Sequence, residues 1–174
     1  MGKCLIVDGY NIINAWQDLK SMAKDNLEFS RQSLIETLSE CNKVLWEEII
    51  VVFDAYYQKD SKGSKEEIDG IIVIYTKEGV TADRVIESLV YDLDNENKVE
   101  VATSDWQEQR IVLGKGAIRL SARELLNRIE HYKKNLRKDF LEKEKLKKNK
   151  NTLGNTVDCD ILEKLEKLRK RREG

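Results

Sequence analysis

The chain of 174 residues contains no proline, one histidine and three cysteines, and these scarcities restrict its chemistry. A single histidine, His131, excludes most histidine-dependent centres, including a Ser-His-Asp triad unless His131 itself serves. The cysteines (Cys4, Cys41 and Cys159) are odd in number and widely spaced. This pattern suits a reducing cytosol and lacks the spacing of zinc ligands. We therefore expect neither a disulfide framework nor a zinc centre.

Long apolar runs are also missing. Charged residues make up 36% of the chain and the mean hydropathy is -0.58. No run approaches the roughly 20 apolar residues that a membrane-spanning helix needs. The first residues, from Met1 to Asp8, become charged again too soon for a signal peptide. We therefore expect a cytoplasmic protein with no membrane partner, built around one domain of about 150 residues.

The net charge of -1 conceals an uneven distribution. Residues 133–174 carry 15 lysines and arginines against 8 acidic residues, whereas residues 1–132 carry 16 against 24. An acidic body suits cations and a basic tail suits a polyanion, although a solvated charged helix explains the tail equally well. We expect a folded domain over residues 1–132 and a basic helical extension over residues 133–174, with a polar linker near 149–158.

Short apolar runs alternate with helical patterns, which predicts an α/β fold with a mostly parallel sheet. The predicted strands are residues 4–7, 49–53, 71–75, 99–103 and 117–120. Helical spacing covers residues 30–46, a second helix is capped by Thr81, and a third begins with a capping box at Ser121 and Glu124 and runs to Leu136. Residues 56–70 are expected to form an exposed loop or an irregular helix.

Three of the apolar runs that predict strands end in an aspartate just after the strand, namely Asp8, Asp54 and Asp105. In open parallel sheets the carboxyl ends of the strands face the crevice where ligands bind, so we expect these carboxylates at one edge. Asp83 lies in the first turn of the helix after Thr81, and Glu87 lies four residues later on the same helical face. The sequence therefore predicts a shared acidic site.

Converging carboxylates repel one another, and a divalent cation removes that repulsion. Oxygen ligands without a set of cysteines or histidines favour Mg²⁺ or Mn²⁺. Such an ion supports phosphodiester hydrolysis without a histidine base. The ordinary alternative stays open at each position, because an aspartate after a strand often forms a turn or caps a helix. For Glu87 the alternative is a solvated side chain on a helix surface.

Four short motifs follow one another along the chain: Asp8-Gly9-Tyr10-Asn11, Phe53-Asp54, Thr81-Ala82-Asp83 and Thr103-Ser104-Asp105. This set resembles the NYN domain, a branch of the PIN-like ribonuclease superfamily. The runs 104–109, 114–117 and 121–125 resemble more closely the bacterial YacP-type NYN proteins. The resemblance covers residues 3–133.

The resemblance implies a PIN-like three-layer sandwich and a hydrolase, namely an endoribonuclease that depends on Mg²⁺ or Mn²⁺. It also implies mRNA as substrate, a role in mRNA decay and the ribosome as a partner, because some YacP-type proteins are ribosome-associated mRNA endonucleases. Asp8, Asp54, Asp83 and Asp105 fall on the acidic positions of the family. Asn11 falls on its polar position after the first strand, whereas Glu87 has no clear motif match.

RNA contacts are expected from side chains close in sequence to these motifs. The candidate phosphate-binding residues are Arg84, Arg110, Lys115, Arg119 and Arg123. Tyr10, Tyr56 and Trp106 adjoin strand-end aspartates and are candidates for stacking on unpaired bases. Surface charge and helix–sheet packing are the corresponding structural alternatives.

Two other functional classes fit parts of the pattern. A phosphoacceptor receiver domain is also α/β and has an aspartate near position 54, but receivers carry adjacent acids after the first strand, where this chain has Asp8-Gly9. A non-catalytic RNA- or ribosome-binding adaptor on a nuclease fold would retain the same carboxylates. A metal-dependent endoribonuclease that prefers single-stranded RNA is the function that the sequence favours.

Overall fold

The computed structural model describes residues 3–55, 62–93, 98–104 and 117–170, with side chains described as far as Lys147. The strands of this part of the chain are β1 (Lys3–Asp8), β2 (Glu48–Phe53), β3 (Lys62–Ile68), β4 (Ile71–Lys77), β5 (Lys98–Ala102) and β6 (Ile118–Leu120). The helices are α1 (Gly9–Ala15), α2 (Gln17–Asp25), α3 (Leu27–Ser39), α4 (Ala82–Leu93) and α5 (Ala122–Lys170).

The strands form one sheet in the order β3-β4-β2-β1-β5-β6. All neighbouring pairs are parallel except β3 and β4, which run antiparallel at one side. The chain builds the sheet outward from β1 to β2 and β4, and then crosses to the opposite side of β1 for β5 and β6. The predicted α/β fold with a mostly parallel sheet is therefore confirmed, and the strand order reverses beside β1.

Helices cover both faces of the sheet, which explains why the central strands are apolar throughout. Ile6 and Val52 face α4, where they pack with Ile86 and Val90. α1 and α3 pack on the sheet through contacts with β1, β2 and β4. Leu5, Ile6 and Val7 are fully buried, so β1 lies at the centre of the core.

A buried carboxylate in the middle of β5 joins three elements. Glu100 on β5 is 3% exposed, and its Oε2 accepts hydrogen bonds from Trp46 Nε1 at 2.8 Å and from Arg128 Nη1 at 2.7 Å. Since a buried charge is costly unless it is paired, these two donors make the position tolerable. Their bonds attach the start of α5 and the segment before β2 to the sheet.

The predicted capping box at the start of α5 is confirmed. The backbone N–H and the hydroxyl of Ser121 donate to Glu124 Oε2 at 2.8 and 2.6 Å, and the N–H of Glu124 donates to Ser121 Oγ at 3.2 Å. Trp16 Nε1 donates to the carbonyl oxygen of Ala122 at 2.9 Å. The bonds from the N–H groups of Ser121 and Glu124 satisfy donors at the start of the helix. The bond from Trp16 attaches this start to the segment between α1 and α2.

α5 continues through residues 149–158 as far as Lys170, so the prediction that this polar run breaks the helix is wrong. The run contains no proline, and its glycine, Gly154, costs only about 1 kcal/mol relative to alanine within a helix. The chain divides into two units, Met1–Glu130 and His131–Gly174, close to the expected boundary after residue 132. Among the described residues, none of the helices combines the length and apolar character required to cross a membrane.

Part of the predicted loop at residues 56–70 is instead the edge strand β3. Its side chains are mostly exposed on both faces, so no apolar alternation marks it in the sequence. Asp69 and Gly70 both adopt positive φ angles, 52° and 78°, in a two-residue turn between Ile68 and Ile71. This is the geometry of a tight hairpin turn that Asp-Gly favours. The preceding residues 56–61 lie outside the described part.

The helix predicted over residues 30–46 is also corrected at both ends. α3 begins at Leu27, because the side chain of Asn26 accepts a hydrogen bond from the N–H of Phe29 at 3.1 Å. It ends at Ser39, and Lys43 in the following turns has a positive φ of 64°. Cys41 and Trp46 are buried in this irregular segment, which accounts for the apolar spacing that resembled a longer helix.

We expect Ser121→Ala to lower the free energy of unfolding by about 1 kcal/mol at pH 7, because it removes the cap of α5. The hydrogen bonds from Ser121 hold the pKa of Glu124 below its usual 4.5. Their stabilisation is therefore present above that value and is lost as the pH falls through the lower folded pKa. Urea unfolding measures the first effect and an NMR titration measures the rise of the Glu124 pKa. Ser88→Ala, on the exposed surface of α4, is the control, and an unchanged Glu124 pKa in Ser121→Ala would contradict the assignment.

Candidate active site

The sheet brings Asp8 and Asp54 to the same edge. Asp8 ends β1 and lies opposite Val52 of β2, so Asp54 follows two residues further along the neighbouring strand. On the other side of β1, Val7 lies opposite Ala102 of β5, which ends just before Thr103 and Ser104. The strand order reverses at this point, which is where open α/β sheets bind their ligands.

Asp8 is held by the helix that follows it. The half-buried carboxylate caps α1, and Oδ1 accepts a hydrogen bond from the N–H of Asn11 at 3.1 Å. Gly9 is required next to Asp8 because a Cβ at that position would collide with the ring of Phe53. The Asp8-Gly9 pair therefore combines a helix cap with a close approach between α1 and β2.

Asn11 connects the two strands that flank the reversal of the sheet. Its Oδ1 accepts a hydrogen bond from the N–H of Ser104 at 2.7 Å, across 93 positions of sequence. Its backbone at the same time restrains Asp8. Asn11 therefore fixes the end of β5, and with it the point where the chain continues to Asp105, relative to the carboxylate of Asp8.

Asp54 is held by a second helix. Its Oδ2 accepts a hydrogen bond from the N–H of Ala82 at 3.2 Å, so its carboxylate lies at the N-terminus of α4. The next residue, Ala55, donates its N–H to the buried Thr76 Oγ1 at 2.8 Å. Asp83 follows Ala82 and is exposed, and Glu87, one turn later, is half-buried. The structure thus places the strand-end residue Asp54 at the N-terminus of α4, the helix that carries Asp83 and Glu87.

The metal-binding set predicted from the sequence comprises Asp8, Asp54, Asp83, Asp105 and Glu87. Among the residues that the structure describes, no three histidine, cysteine or acidic side chains lie close enough to hold one metal ion. Asp8 and Asp54 each use one carboxylate oxygen for a helix N–H. The described carboxylates alone therefore do not complete a metal site, and Asp105 lies outside the described residues.

Tyr10 lies in the core rather than at a surface where bases could stack. It is 8% exposed, its ring packs against Phe53 with centroids 5.1 Å apart, and its hydroxyl accepts a hydrogen bond from Arg31 Nη1 at 2.8 Å. The expectation that it stacks on RNA is therefore wrong for this fold. The packing alternative for Tyr10 holds, and Tyr56 and Trp106 lie outside the described residues.

Arg31 is the residue of this region that sequence reasoning missed. It is 6% exposed, pairs with Glu28 and lies 5.7 Å from the centroid of the Tyr75 ring. Burial lowers the pKa of the guanidinium, but hydrogen bonds with Glu28 and Tyr10 raise it by more. A signal was available, because Leu34, Ile35 and Leu38 lie three, four and seven residues after Arg31, which places Arg31 on the apolar face of α3.

Three of the five predicted phosphate-binding residues are exposed in the described structure. Arg84 lies in the first turn of α4, Arg119 lies on β6 and Arg123 lies in the first turn of α5. Arg110 and Lys115 lie outside the described residues. The single histidine, His131, is exposed on α5.

Comparison with known proteins gives a family and a related fold. The family model described as YacP-like NYN domain matches residues 5–170. The uncharacterized protein YacP of Bacillus subtilis (strain 168) is 43% identical over 127 residues, which cover 72% of this chain and 74% of that protein.

Two crystal structures of Rae1 (YacP) from Bacillus subtilis are similar to this structure. One is a tryptophan-to-leucine mutant with a TM-score of 0.67 and 38% identity, covering 78% of this chain and 80% of that one. The other has a TM-score of 0.66 and 34% identity, and covers 96% and 94% of the two chains.

These similarities exclude one of the functional classes that the sequence left open, the receiver domain. The NYN domain is related to the PIN-like nucleases, so the fold is of the nuclease type and the receiver alternative is wrong. The match extends over most of the chain and includes all of α5. The chain therefore belongs to the YacP-like NYN domain family.

Proposed function

We propose that this protein is a divalent-metal-dependent endoribonuclease that cleaves single-stranded RNA, mRNA in particular. The observation that carries the proposal is the placement of Asp8 and Asp54 at the carboxyl edge of adjacent central strands, beside the reversal of the strand order. Ligands bind at such a point in open α/β sheets. The relation of the family to nucleases supports phosphodiester hydrolysis as the reaction.

The roles of the carboxylates follow from how they are held. Asp8 and Asp54 are fixed by backbone N–H groups at the starts of α1 and α4, so their positions do not depend on a bound ion. Asp83 is exposed beside Asp54 and can approach a ligand from solvent. We assign Asp105 to complete the ligand set, because it follows Ser104, which Asn11 fixes beside Asp8.

The chemistry of this donor set fits Mg²⁺ or Mn²⁺, since carboxylate oxygens are the ligands that these ions prefer. A bound divalent cation polarises the phosphoryl group and stabilises the negative charge that develops on its oxygens. The protein supplies fixed carboxylates and a water-accessible edge. We assign Glu87, which is half-buried one turn along α4, to the outer part of this acidic set.

RNA binding is assigned to exposed arginines on α4, β6 and α5. Arg84 is adjacent in sequence to Asp83, and Arg119 and Arg123 lie on β6 and in the first turn of α5. Guanidinium groups bind phosphate oxygens with two donors, which positions a strand without reading its sequence. The lysine-rich part of α5 adds a second surface suited to a polyanion, which supports RNA or the ribosome as a partner.

We expect Asp8→Asn and Asp83→Asn each to reduce RNA cleavage at least 100-fold while leaving the fold intact, since removing one charged partner at a catalytic centre costs about that much. Asparagine is as good a helix cap as aspartate, so α1 keeps its start in Asp8→Asn. The control is Asp92→Asn, an exposed aspartate in the last turn of α4. Cleavage is measured on a labelled single-stranded RNA and folding by circular dichroism.

Full cleavage by the Asp8→Asn, Asp83→Asn double variant would contradict the proposed site. An adaptor function predicts a different result. In that case the purified protein binds RNA but produces no fragments at any metal concentration.

Removal of divalent ions is expected to stop cleavage. EDTA should abolish the reaction, and added Mn²⁺ or Mg²⁺ should restore it, because EDTA withdraws the divalent ion on which the proposed hydrolysis depends. The rate is followed on purified mRNA with and without ribosomes. Undiminished cleavage in EDTA would rule out the metal-dependent mechanism.

We expect Asn11→Ala to reduce the cleavage rate at least 10-fold with a loss of only about 1 kcal/mol in the free energy of unfolding. The variant deletes one hydrogen bond, to the N–H of Ser104, and leaves the cap of Asp8 on the backbone intact. Asn14→Ala, exposed on the same helix, is the control. The amide signal of Ser104 should shift in the first variant alone, and an unchanged rate would show that this connection is not needed for activity.

A further inference from the structure

A cavity of about 400 Å³ lies between β3, β4 and the start of α4. Its lining includes Lys65 of β3, Ile74, Thr76 and Lys77 of β4, Val80 of the following turn and Val85 of α4. Sites for small molecules have volumes of about 300–1,000 Å³, so the cavity has the size of a small-ligand pocket. Neither the acidic site nor the assigned RNA-binding arginines account for it.

The lining combines apolar side chains with cations. Ile74, Val80 and Val85 supply apolar walls, and Lys65 and Lys77 supply positive charge, whereas none of the lining residues is acidic. This contrasts with the net negative charge of the first 132 residues. A ligand with a part that packs on apolar side chains and an adjoining negative charge fits this lining. A nucleotide unit of RNA has both, in the faces of its base and in its phosphate.

The cavity adjoins the acidic site through Thr76. Thr76 is one of the lining residues, and its hydroxyl accepts a hydrogen bond from the N–H of Ala55, the residue after Asp54. Asp83 lies in the chain between Val80 and Val85, two residues of the lining. A nucleotide bound here therefore lies near the chain segments that carry Asp54 and Asp83, two of the carboxylates to which cleavage is assigned.

We propose that this cavity binds one nucleobase of the RNA strand next to the cleaved phosphodiester, and that it gives the enzyme a base preference at that position. This inference rests on the proposed function. The base contacts the apolar walls, and Lys65 and Lys77 bind the phosphates on either side of it. Single-stranded RNA is required, because only an unpaired base can leave its neighbours and enter a pocket.

The first test uses the four 5′-nucleoside monophosphates as probes and observes the amide signals of the ¹⁵N-labelled protein. Val85→Phe fills the cavity, and Leu89→Phe is the matched control, because Leu89 lies one turn further along α4, packs on the same core and does not line the cavity. We expect the probes to shift the amides of Lys65, Thr76 and Val85. In Val85→Phe the affinity should fall roughly 10-fold or more, since a change of even one methylene in an apolar pocket alters binding by about that much. In Leu89→Phe the affinity should not change.

Shifts confined to other regions, or equal affinity in Val85→Phe, would overturn the proposal. If Val85→Phe does not fold, Lys65→Glu and its control Lys98→Glu take its place, since both lysines are exposed on strands and only Lys65 lines the cavity. We then expect the monophosphates to bind more weakly to Lys65→Glu and with unchanged affinity to Lys98→Glu. Equal binding in both lysine variants would also overturn the proposal.

The second test sequences the fragment ends produced from a randomised single-stranded RNA. The wild type and Leu89→Phe should share a base preference at one position beside the cut, and Val85→Phe should lose it while cleavage continues. Cleavage with an unchanged preference in Val85→Phe refutes the base pocket and leaves the nuclease function intact. Binding of the monophosphates in a protein that cleaves no RNA refutes the nuclease function and leaves the pocket intact.

Discussion

The parallel pairing of β1 on both of its sides is the constraint on which the rest of the structure depends. Leu5, Ile6 and Val7 are fully buried, so their backbone groups have to pair with β2 and β5. A slip of one residue would turn every side chain of the strand to the opposite face. The register is therefore fixed, and with it the positions of Asp8, of Asp54 on one side and of Ser104 on the other.

Two carboxylates of the candidate site are held by hydrogen bonds at the N-termini of helices. Asp8 accepts an N–H at the start of α1, and Asp54 accepts one at the start of α4. The partial positive charge of a helix N-terminus attracts such carboxylates. The structural explanation of these aspartates as caps and their proposed role in catalysis are therefore compatible, since the cap bond orients the group that the site uses.

A buried arginine, Arg31, helps to hold α1 and β2 together behind the candidate site. Arg31 connects α3 to Tyr10 of α1, and Tyr10 packs on Phe53, the residue before Asp54. Burying a guanidinium is costly unless its partners are well placed, and removing one partner is more destabilising than replacing the whole pair. The position of α1 on the sheet therefore depends on a polar contact as well as on apolar packing.

The sequence by itself determined the features that depend on local periodicity and on local hydrogen bonds. Continuous apolar runs marked the buried strands, and the spacing of Ser121 and Glu124 marked the start of α5. Only the tertiary structure decided the features whose partners are distant in sequence or whose side chains face solvent. Asn11 accepts a hydrogen bond from Ser104, 93 positions away in sequence, and Arg31 donates one to Tyr10 inside the core. β3 is a strand although neither of its faces is apolar. Periodicity reports which face of an element is buried, whereas the partner of a polar group depends on how the elements pack together.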